Sequence, residues 1–321
     1  MYMFKYILKR IALMLLTLLV IMTICFVLIK LLQPEMPMMG KEAAAEKARR
    51  EALGYNKPVM VQYAIYLRNI ITKFDWGTSW KIDYLSDVKD VIADRLPPSL
   101  LINTFSIIIS IPLGILLGII AAIKKNKLTD HIISTLIILF VSVPSYVYAF
   151  LLQYTLGFKL GLFPVMLSSL YDAGGSWFSP VMLKSMALPV LALSFGVIAD
   201  LARYVRAELT EALTSEYMLL ARAKGLTKAQ ATIRHAMKNA MVPVLPMIIS
   251  LFTGVIGGSI IIEKIFVVNG IGSLYLKSIS MLDYHVFIAT GMFYTVIGLA
   301  STILVDLSYG FLDPRIRMGA K

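Results

Sequence analysis

Few residues in this chain could break a chemical bond, and none is placed to do it. A phosphate-cradling nucleotide loop needs a lysine and a Ser or Thr directly after its last glycine, but the one Gly-Lys step, Gly40-Lys41, runs on into Glu42. Neither Gly174-Gly175-Ser176 nor Gly257-Gly258-Ser259 completes the G-x-S-x-G turn that exposes a nucleophilic serine. The histidines His131, His235 and His285 lie far apart without zinc-ligand spacing. The single cysteine, Cys25, excludes an intrachain disulfide and a cysteine metal cluster. The sequence therefore predicts no catalytic residue, no metal and no cofactor of its own.

The chemistry that remains is mechanical. Residues 215–243 read as two helices joined by a sharp corner. Ser215 is a good N-cap, Glu216 places negative charge at a helix start, and Arg222 and Lys224 place positive charge near its end. Gly225 suits the left-handed position that closes a helix, and Thr227 with Gln230 has the form of a capping box that starts the next one. Tyr217, Leu220, Ala221 and Lys224 share one face at i, i+3, i+4 and i+7. Two readings fit this short helix. It lies along lipid headgroups, or it is a knob that enters a groove on a soluble partner and carries that partner's movement as a rigid body. In the second case the small residues Ala221, Ala223 and Gly225 permit close approach.

What must position such a loop is a membrane domain. Of 321 residues, 58% are hydrophobic and 16% charged, with mean hydropathy +0.78, against roughly 45–50% apolar and about 25% charged in soluble domains. A soluble globular enzyme is excluded. A spanning helix needs roughly 20 nearly uncharged residues, because every backbone group must be satisfied internally. Residues 11–29, 96–123, 132–158, 239–262 and 286–305 qualify, each free of Asp, Glu, Lys and Arg. Residues 185–199 make a short sixth that must use Asp200 and Arg203 at its edge, through an i,i+3 pair or snorkelling. The first run follows Lys5, Lys9 and Arg10 as a secretory signal would, but it is long for one and no small-residue cleavage site follows, so it is read as retained.

The net charge of +12 reports loop orientation rather than nucleic-acid binding. Sixteen basic residues fall on one side: in the amino tail, at Lys124, Lys125 and Lys127, in 203–238, and at Arg315, Arg317 and Lys321. Four fall in the short loops of the other, Lys159, Lys184, Lys264 and Lys277, once Lys30 at the end of the first run and the long stretch 33–99 are set aside. The expectation is an all-α polytopic protein of six transmembrane helices with both termini in the cytoplasm. Residues 1–32 form the tail and first helix, 33–99 an external subdomain, and 100–321 a core of five helices carrying a cytoplasmic loop at 204–242. The external stretch opens with an Ala-, Glu-, Lys- and Arg-rich run at 41–53, and its ten basic and nine acidic residues nearly cancel, as on a solvated face. Acids near the spans stand only at their ends, at Asp200, Glu263 and Asp306, so proton or sodium coupling has no evident carrier. Ser142, Ser145 and Tyr146 flank Pro144 in the third span as pathway candidates, although a serine beside a kink also satisfies freed carbonyls. Gly114 with Gly118, and Gly254 with Gly258, form two G-x-x-x-G pairs that let helices approach closely.

The run Glu216-Tyr217-Met218-Leu219-Leu220-Ala221-Arg222-Ala223-Lys224-Gly225-Leu226, continuing through Arg234-His235-Ala236-Met237-Lys238-Asn239-Ala240 to Pro243, closely resembles a family signature. It is the cytoplasmic-loop signature of binding-protein-dependent ABC import permeases, in the branch that carries oligopeptides, dipeptides and nickel. Further similarities run in order along the chain: Leu53-Gly54-Tyr55-Asn56-Lys57-Pro58, Asp75-Trp76-Gly77-Thr78-Ser79, Arg95-Leu96-Pro97, Leu188-Pro189, Arg203 with Arg206, Gly270-Ile271-Gly272, Asp283-Tyr284 and Leu312-Asp313-Pro314-Arg315. The long external loop is most like that of the oligopeptide B-type subunit. There are departures. Leu219 and Leu220 stand where the wider family has the acid and first alanine of its EAA motif. Asn269 and His285 stand where the branch often has proline, and Leu282 where it often has arginine.

The resemblance implies a type I importer in a prokaryotic cell membrane, in which this chain lines half of the pathway beside a second homologous permease. Two cytoplasmic ATPases, using ATP and Mg, would bind beneath, an external solute-binding lipoprotein would deliver peptide, and the chain itself would catalyse nothing. The resemblance assigns the ATPase contact to Glu216, Tyr217, Leu220, Ala221, Arg222, Ala223, Lys224, Gly225, Leu226, His235 and Asn239. It also makes Thr253, Ser259 and Glu263, on the pore-lining fifth span, pathway candidates. A dipeptide, nickel or glutathione permease of the same branch, and an ion-coupled carrier, are the alternative readings.

Overall fold

The computed structural model describes residues 2–32, 51, 54 and 56–312. All but Glu51 and Gly54 of 33–55, which includes most of the run expected at 41–53, lies outside these residues, as do Asp313-Pro314-Arg315 and the rest of the basic tail. Helices are the main regular elements among the described residues, with one antiparallel bridge between Thr78 and Asp87. In chain order they are α1 (Tyr2–Leu32), α2 (Val59–Lys73), α3 (Val88–Ile123), α4 (Leu128–Ser142), α5 (Ser145–Leu152), α6 (Pro180–Leu213), α7 (Glu216–Ala223), α8 (Lys228–Ala231), α9 (Met237–Ala240), α10 (Val244–Gly254), α11 (Ile260–Ile265), α12 (Ile271–Ser280) and α13 (Tyr284–Leu312). Wider π turns extend α5 over Gln153–Lys159 and join α8 to α9 over Thr232–Ala236.

Among the described residues, four helices are long and apolar enough to cross a membrane: Ile7–Leu31, Val88–Ile123, Pro180–Leu213 and Tyr284–Ser308. The number rises to six if each of two bent pairs is one span. The expected third span, 132–158, turns by 100° between Leu128–Ser142 and Ser145–Lys159, because Pro144 cannot donate to the helix before it. The expected fifth, 239–262, is also divided. The chain bends by 57° between Lys228–Ala240 and Val244–Gly254 around Pro243, then tightens into a 3-10 turn at Val255–Gly257 before α11. Gly254 and Gly258 therefore share no helix: α10 ends at the first, and the second takes φ +64°. The short run at 185–199 is, by contrast, the middle of the 34-residue α6. That helix starts with Pro180 behind a Ser179 cap that accepts the Met182 N–H. It continues past Asp200 with the Arg203 guanidinium donating to the Asp200 carboxylate at 3.0 Å.

The described residues form two compact units. The first runs to Leu96 and includes Leu274–Leu299. In it Met22, Phe26 and Ile29 of α1 pack with Tyr63 and Tyr66 of α2 and with Ile288 and Met292 of α13. Val88 and Val91 pack with Leu274, Val286 and Ala289. The second unit comprises Pro97–Ser273 with the residues from Ala300, and α6 is its hub. Met182, Met186, Leu188 and Ala192 of α6 bury against Ile102, Tyr148, Ala149 and Ile262. Gly114 and Gly118 bring α3 against α6 so closely that an added methyl would lie 2.7 Å from the Cβ of Leu201 or of Val205. This G-x-x-x-G pair thus packs two helices of the same chain.

Candidate functional site: the α7–α8 corner and two buried carboxylates

The turn after α7 forms at Gly225, whose φ is +86°, with open space where a side chain would begin. The capping box is closed: Thr227 Oγ1 accepts the Gln230 N–H at 3.3 Å, and Gln230 Oε1 accepts the Thr227 N–H at 3.0 Å. Ser215 stands at the N-cap position of α7 but does not cap it. Its hydroxyl donates to the Ala212 carbonyl at 2.6 Å instead, the local competition that short hydroxyl side chains offer to backbone donors.

Small side chains clamp the corner to the helices above it. Met218 and Ala221 of α7, with Ala231, Ala236 and Ala240, bury against Ala122 of α3 and Leu209 and Ala212 of α6. Alanine loses no rotamer freedom on burial, so the clamp is close and entropically inexpensive. The face expected to hold Tyr217, Leu220, Ala221 and Lys224 together is divided. Ala221 is 5% exposed and belongs to the clamp, whereas Tyr217, Leu220 and Lys224 point outward with Glu216, Leu219, Arg222, Ala223 and Gly225. The period was right, but Met218 is the larger anchor and rotates the buried stripe toward itself. Leu226 is half-buried on the same cluster. His235 and Asn239 are exposed one turn apart, Asn239 Nδ2 donating to the His235 carbonyl at 3.1 Å. A second tie holds the neighbouring turn. Arg206 of α6 donates two hydrogen bonds to the buried Asp130 carboxylate, at 2.6 and 3.0 Å, and the Asn126 N–H adds a third at 2.8 Å. Such bidentate charge-assisted pairs fix orientation as well as distance.

The pathway candidates lie in separate places. Ser142, Ser145 and Tyr146 flank the Pro144 bend, with Ser142 and Tyr146 exposed. Thr253 and Ser301 share a hydroxyl hydrogen bond of 2.5 Å, and the Ser259 carbonyl accepts the Glu263 N–H. Glu263, 3% exposed, is occupied with structure. Ser99 Oγ donates to Oε1 at 2.7 Å, the Ser273 N–H donates to Oε2 at 2.9 Å, and the Ile271 N–H donates to Ser99 Oγ at 2.9 Å. The carboxylate thus takes up amides at the start of α12, where a helix favours negative charge.

Another buried carboxylate, Asp283, figures in the sequence only within the Asp283-Tyr284 similarity. Its Oδ2 accepts Ser79 Oγ–H at 2.6 Å and the successive amides of Trp80, Lys81 and Ile82 at 3.1, 2.9 and 3.1 Å. Consecutive amides converging on one anion form a nest. Asp283 is 1% exposed, and its Oδ1 is buried without a hydrogen-bond partner. Next to it, the His285 ring lies against Gly77, with Nδ1 3.2 Å from the Thr78 amide nitrogen. The signal for this anchor is tertiary, so no local pattern in either segment discloses it. No group of three or more His, Cys, Asp or Glu side chains converges as a metal site among the described residues.

Residues 114–318 match the family model described as the binding-protein-dependent transport system inner membrane component, and residues 3–103 match the model for the N-terminal part of such membrane components. The chain belongs to this permease family. It is a multi-pass membrane protein. It is 36% identical over 320 residues to the dipeptide transport system permease protein DppB of Bacillus subtilis, covering 99% of both chains. It is 38% identical over 318 residues to the protein of the same description from Lactococcus lactis, covering 98% of this chain and all of the relative. To the oligopeptide transport system permease protein OppB of Escherichia coli it is 34% identical over 319 residues, again 98% of this chain and all of the relative. In this permease, then, the clamped corner and both carboxylate anchors fall within a family match that runs through nearly the whole chain.

Proposed function

We propose that this permease is one of two membrane subunits of an ATP-driven importer of peptides, taking peptide from an external receptor and power from ATPases docked on the α7–α8 corner. The names of the dipeptide and oligopeptide relatives support peptide as cargo. The basic residues of the short loops support six spans with both termini and residues 204–242 in the cytoplasm, counting each bent pair as one span. On this reading residues 33–99 form the external subdomain and 100–321 the permease core.

The observation that carries the proposal is the corner itself. A helix with Met218 and Ala221 locked inward and Tyr217, Leu219, Leu220 and Ala223 presented outward is a stiff lever with an apolar contact strip. Pushed by a partner, it moves with α6 rather than bending away from it. A partner can shift such an element only by as much as it binds the two positions differently, so the contact must be firm.

Gly225→Asp tests the role. It puts a side chain at a left-handed position, at a strain of about 1–2 kcal/mol, and adds an acid to the docking strip. Membrane abundance should be retained, while ATP-dependent peptide uptake in proteoliposomes falls at least tenfold and the ATPases lose their stimulation by loaded receptor. Normal uptake at normal abundance refutes the docking role.

A further inference from the structure

Asp130 lies outside the α7–α8 corner and its clamp, yet it is 1% exposed. It stands in the first turn of α4, and three elements fill its carboxylate. Asn126, at φ +63° in the turn between α3 and α4, donates its N–H to Oδ2 at 2.8 Å, and Ser134, one turn along α4, donates its hydroxyl to Oδ1 at 3.2 Å. From α6, Arg206 Nε–H donates to Oδ1 at 2.6 Å and Nη2–H to Oδ2 at 3.0 Å. The place of Arg206 on α6 gives this tie its reach. Leu209, three residues on, is fully buried in the clamp that holds Met218 and Ala221. Ala202, four residues back, is fully buried with Ile133 and Ile137 of α4 and Ala121 of α3. Arg206 therefore stands where α6 passes from the clamp of the corner to its contact with α4.

Further along, α4 meets α6 through Ile133 and Ile137 against Ala199 and Ala202, and through Phe140 against Phe195. Apolar contact is non-directional, whereas a two-pronged arginine–carboxylate pair fixes register and rotation. A buried ion pair adds little net stability over apolar side chains of the same volume, so what this one contributes is geometry. We infer that Asp130 and Arg206 are positioning residues for coupling. The pair makes α4 move with α6 when the corner is pushed, and so passes the displacement along α4 to its far end at Ser142, beside the Pro144 bend. This inference rests on the docking role proposed for the corner.

The test uses the assembled transporter in proteoliposomes and reads peptide taken up per ATP hydrolysed. Arg206→Gln leaves the Asp130 carboxylate buried without its cation and should lower folded yield. Asp130→Asn with Arg206→Gln strands no charge, so yield and thermal midpoint should recover above those of Arg206→Gln alone. Uptake per ATP should nevertheless stay at least about fivefold below wild type, within the range that residues between coupled sites command. Arg206→Lys keeps the charge without the two-pronged geometry and should give an intermediate ratio. A wild-type ratio in the double variant overturns the inference, and so does a loss of uptake that only follows a loss of folded protein. A photoreactive amino acid at the exposed position 223 reads docking separately. A crosslink to the ATPase that persists in the double variant, alongside the lowered ratio, supports the inference. A crosslink lost in that variant shows that the pair only seats the corner, and overturns it. No crosslink in wild type refutes the docking role, and the inference falls with it.

Discussion

The corner between α7 and α8 and the turn at residues 79–82 are both short loops pinned to helix ends, and they are pinned by opposite means. The first is held by methyl groups: Ala221, Ala231, Ala236 and Ala240 with Met218 against α3 and α6. The second is held by one oxygen of Asp283, which takes four donors at once. A clamp of many small apolar contacts degrades gradually and leaves its outer face free to vary. A carboxylate nest is all or none, because its removal strands every donor together. At the corner, stability and the proposed coupling are therefore separable. At the Asp283 turn, no change to the anchor spares the fold.

The comparison is broken most directly at its polar end. Asp283→Ala should destabilise the detergent-solubilised chain by about 3 kcal/mol or more, since four donors lose their acceptor at about 1–3 kcal/mol for each one left unsatisfied, read as a sharp loss of thermal midpoint and of folded yield, while Asp283→Asn, which keeps one acceptor, falls in between. A shift within experimental error for the alanine variant removes the nest as an anchor. Glu263→Ala is the milder version, since that carboxylate takes the Ser99 hydroxyl and the Ser273 amide. About 2–3 kcal/mol should be lost as two buried donors go unpaired. Because Ser99 Oγ also accepts the Ile271 N–H, Ser99→Ala should combine with Glu263→Ala less than additively, and strict additivity argues that the two do not act as a unit.

The apolar end predicts smaller effects. Ala221→Leu forces three extra carbons into a clamp built of alanines, and overpacking of this kind typically costs about 1–3 kcal/mol. The thermal midpoint should fall, and transport should fall with it. A neutral outcome for stability means that α7 is free of α6, and the stiff-lever reading goes with it.

What the sequence made legible follows the range of each interaction. The Gly225 corner and the Thr227–Gln230 box depend on residues within three positions of each other, and both formed as read. The all-helical class was legible from composition, because a bilayer leaves the backbone little alternative. The kink at Pro144 was legible from the proline, but its size of 100° and the breaks between Ala240 and Ile260 were not. Hydropathy sums an apolar window without asking whether its axis is straight, so 132–158 and 239–262 read as single spans. Ser215 was placed correctly but its hydroxyl found a closer carbonyl. Glu263 read as a pathway candidate because the fifth span resembles the pore-lining helix of the permease family. Its partners Ser99 and Ser273 come from elements that only the folded chain brings together.

The smallest structural effect is the most informative about function. Leu220 is 57% exposed, and Leu219 is 67% exposed, one residue away from the buried Ala221 and Met218 respectively. Leu220→Ser removes no contact from the clamp, so the thermal midpoint should correspond to a change within about 0.5 kcal/mol. If the outward strip meets an apolar groove on an ATPase, the same change removes a large apolar side chain from that contact and should lower receptor-stimulated ATP hydrolysis and peptide uptake several-fold. Orientation along lipid headgroups, the competing reading of an exposed apolar helix, predicts a different pattern: uptake is retained, and a brominated lipid that quenches a reporter fluorophore attached at position 220 in wild-type vesicles identifies the neighbour. Stability unchanged with transport lost is the signature that the clamp and the strip are separate devices on the two faces of one eight-residue helix, with Met218 and Ala221 keeping the lever stiff and Leu219 and Leu220 giving it something to be pushed by.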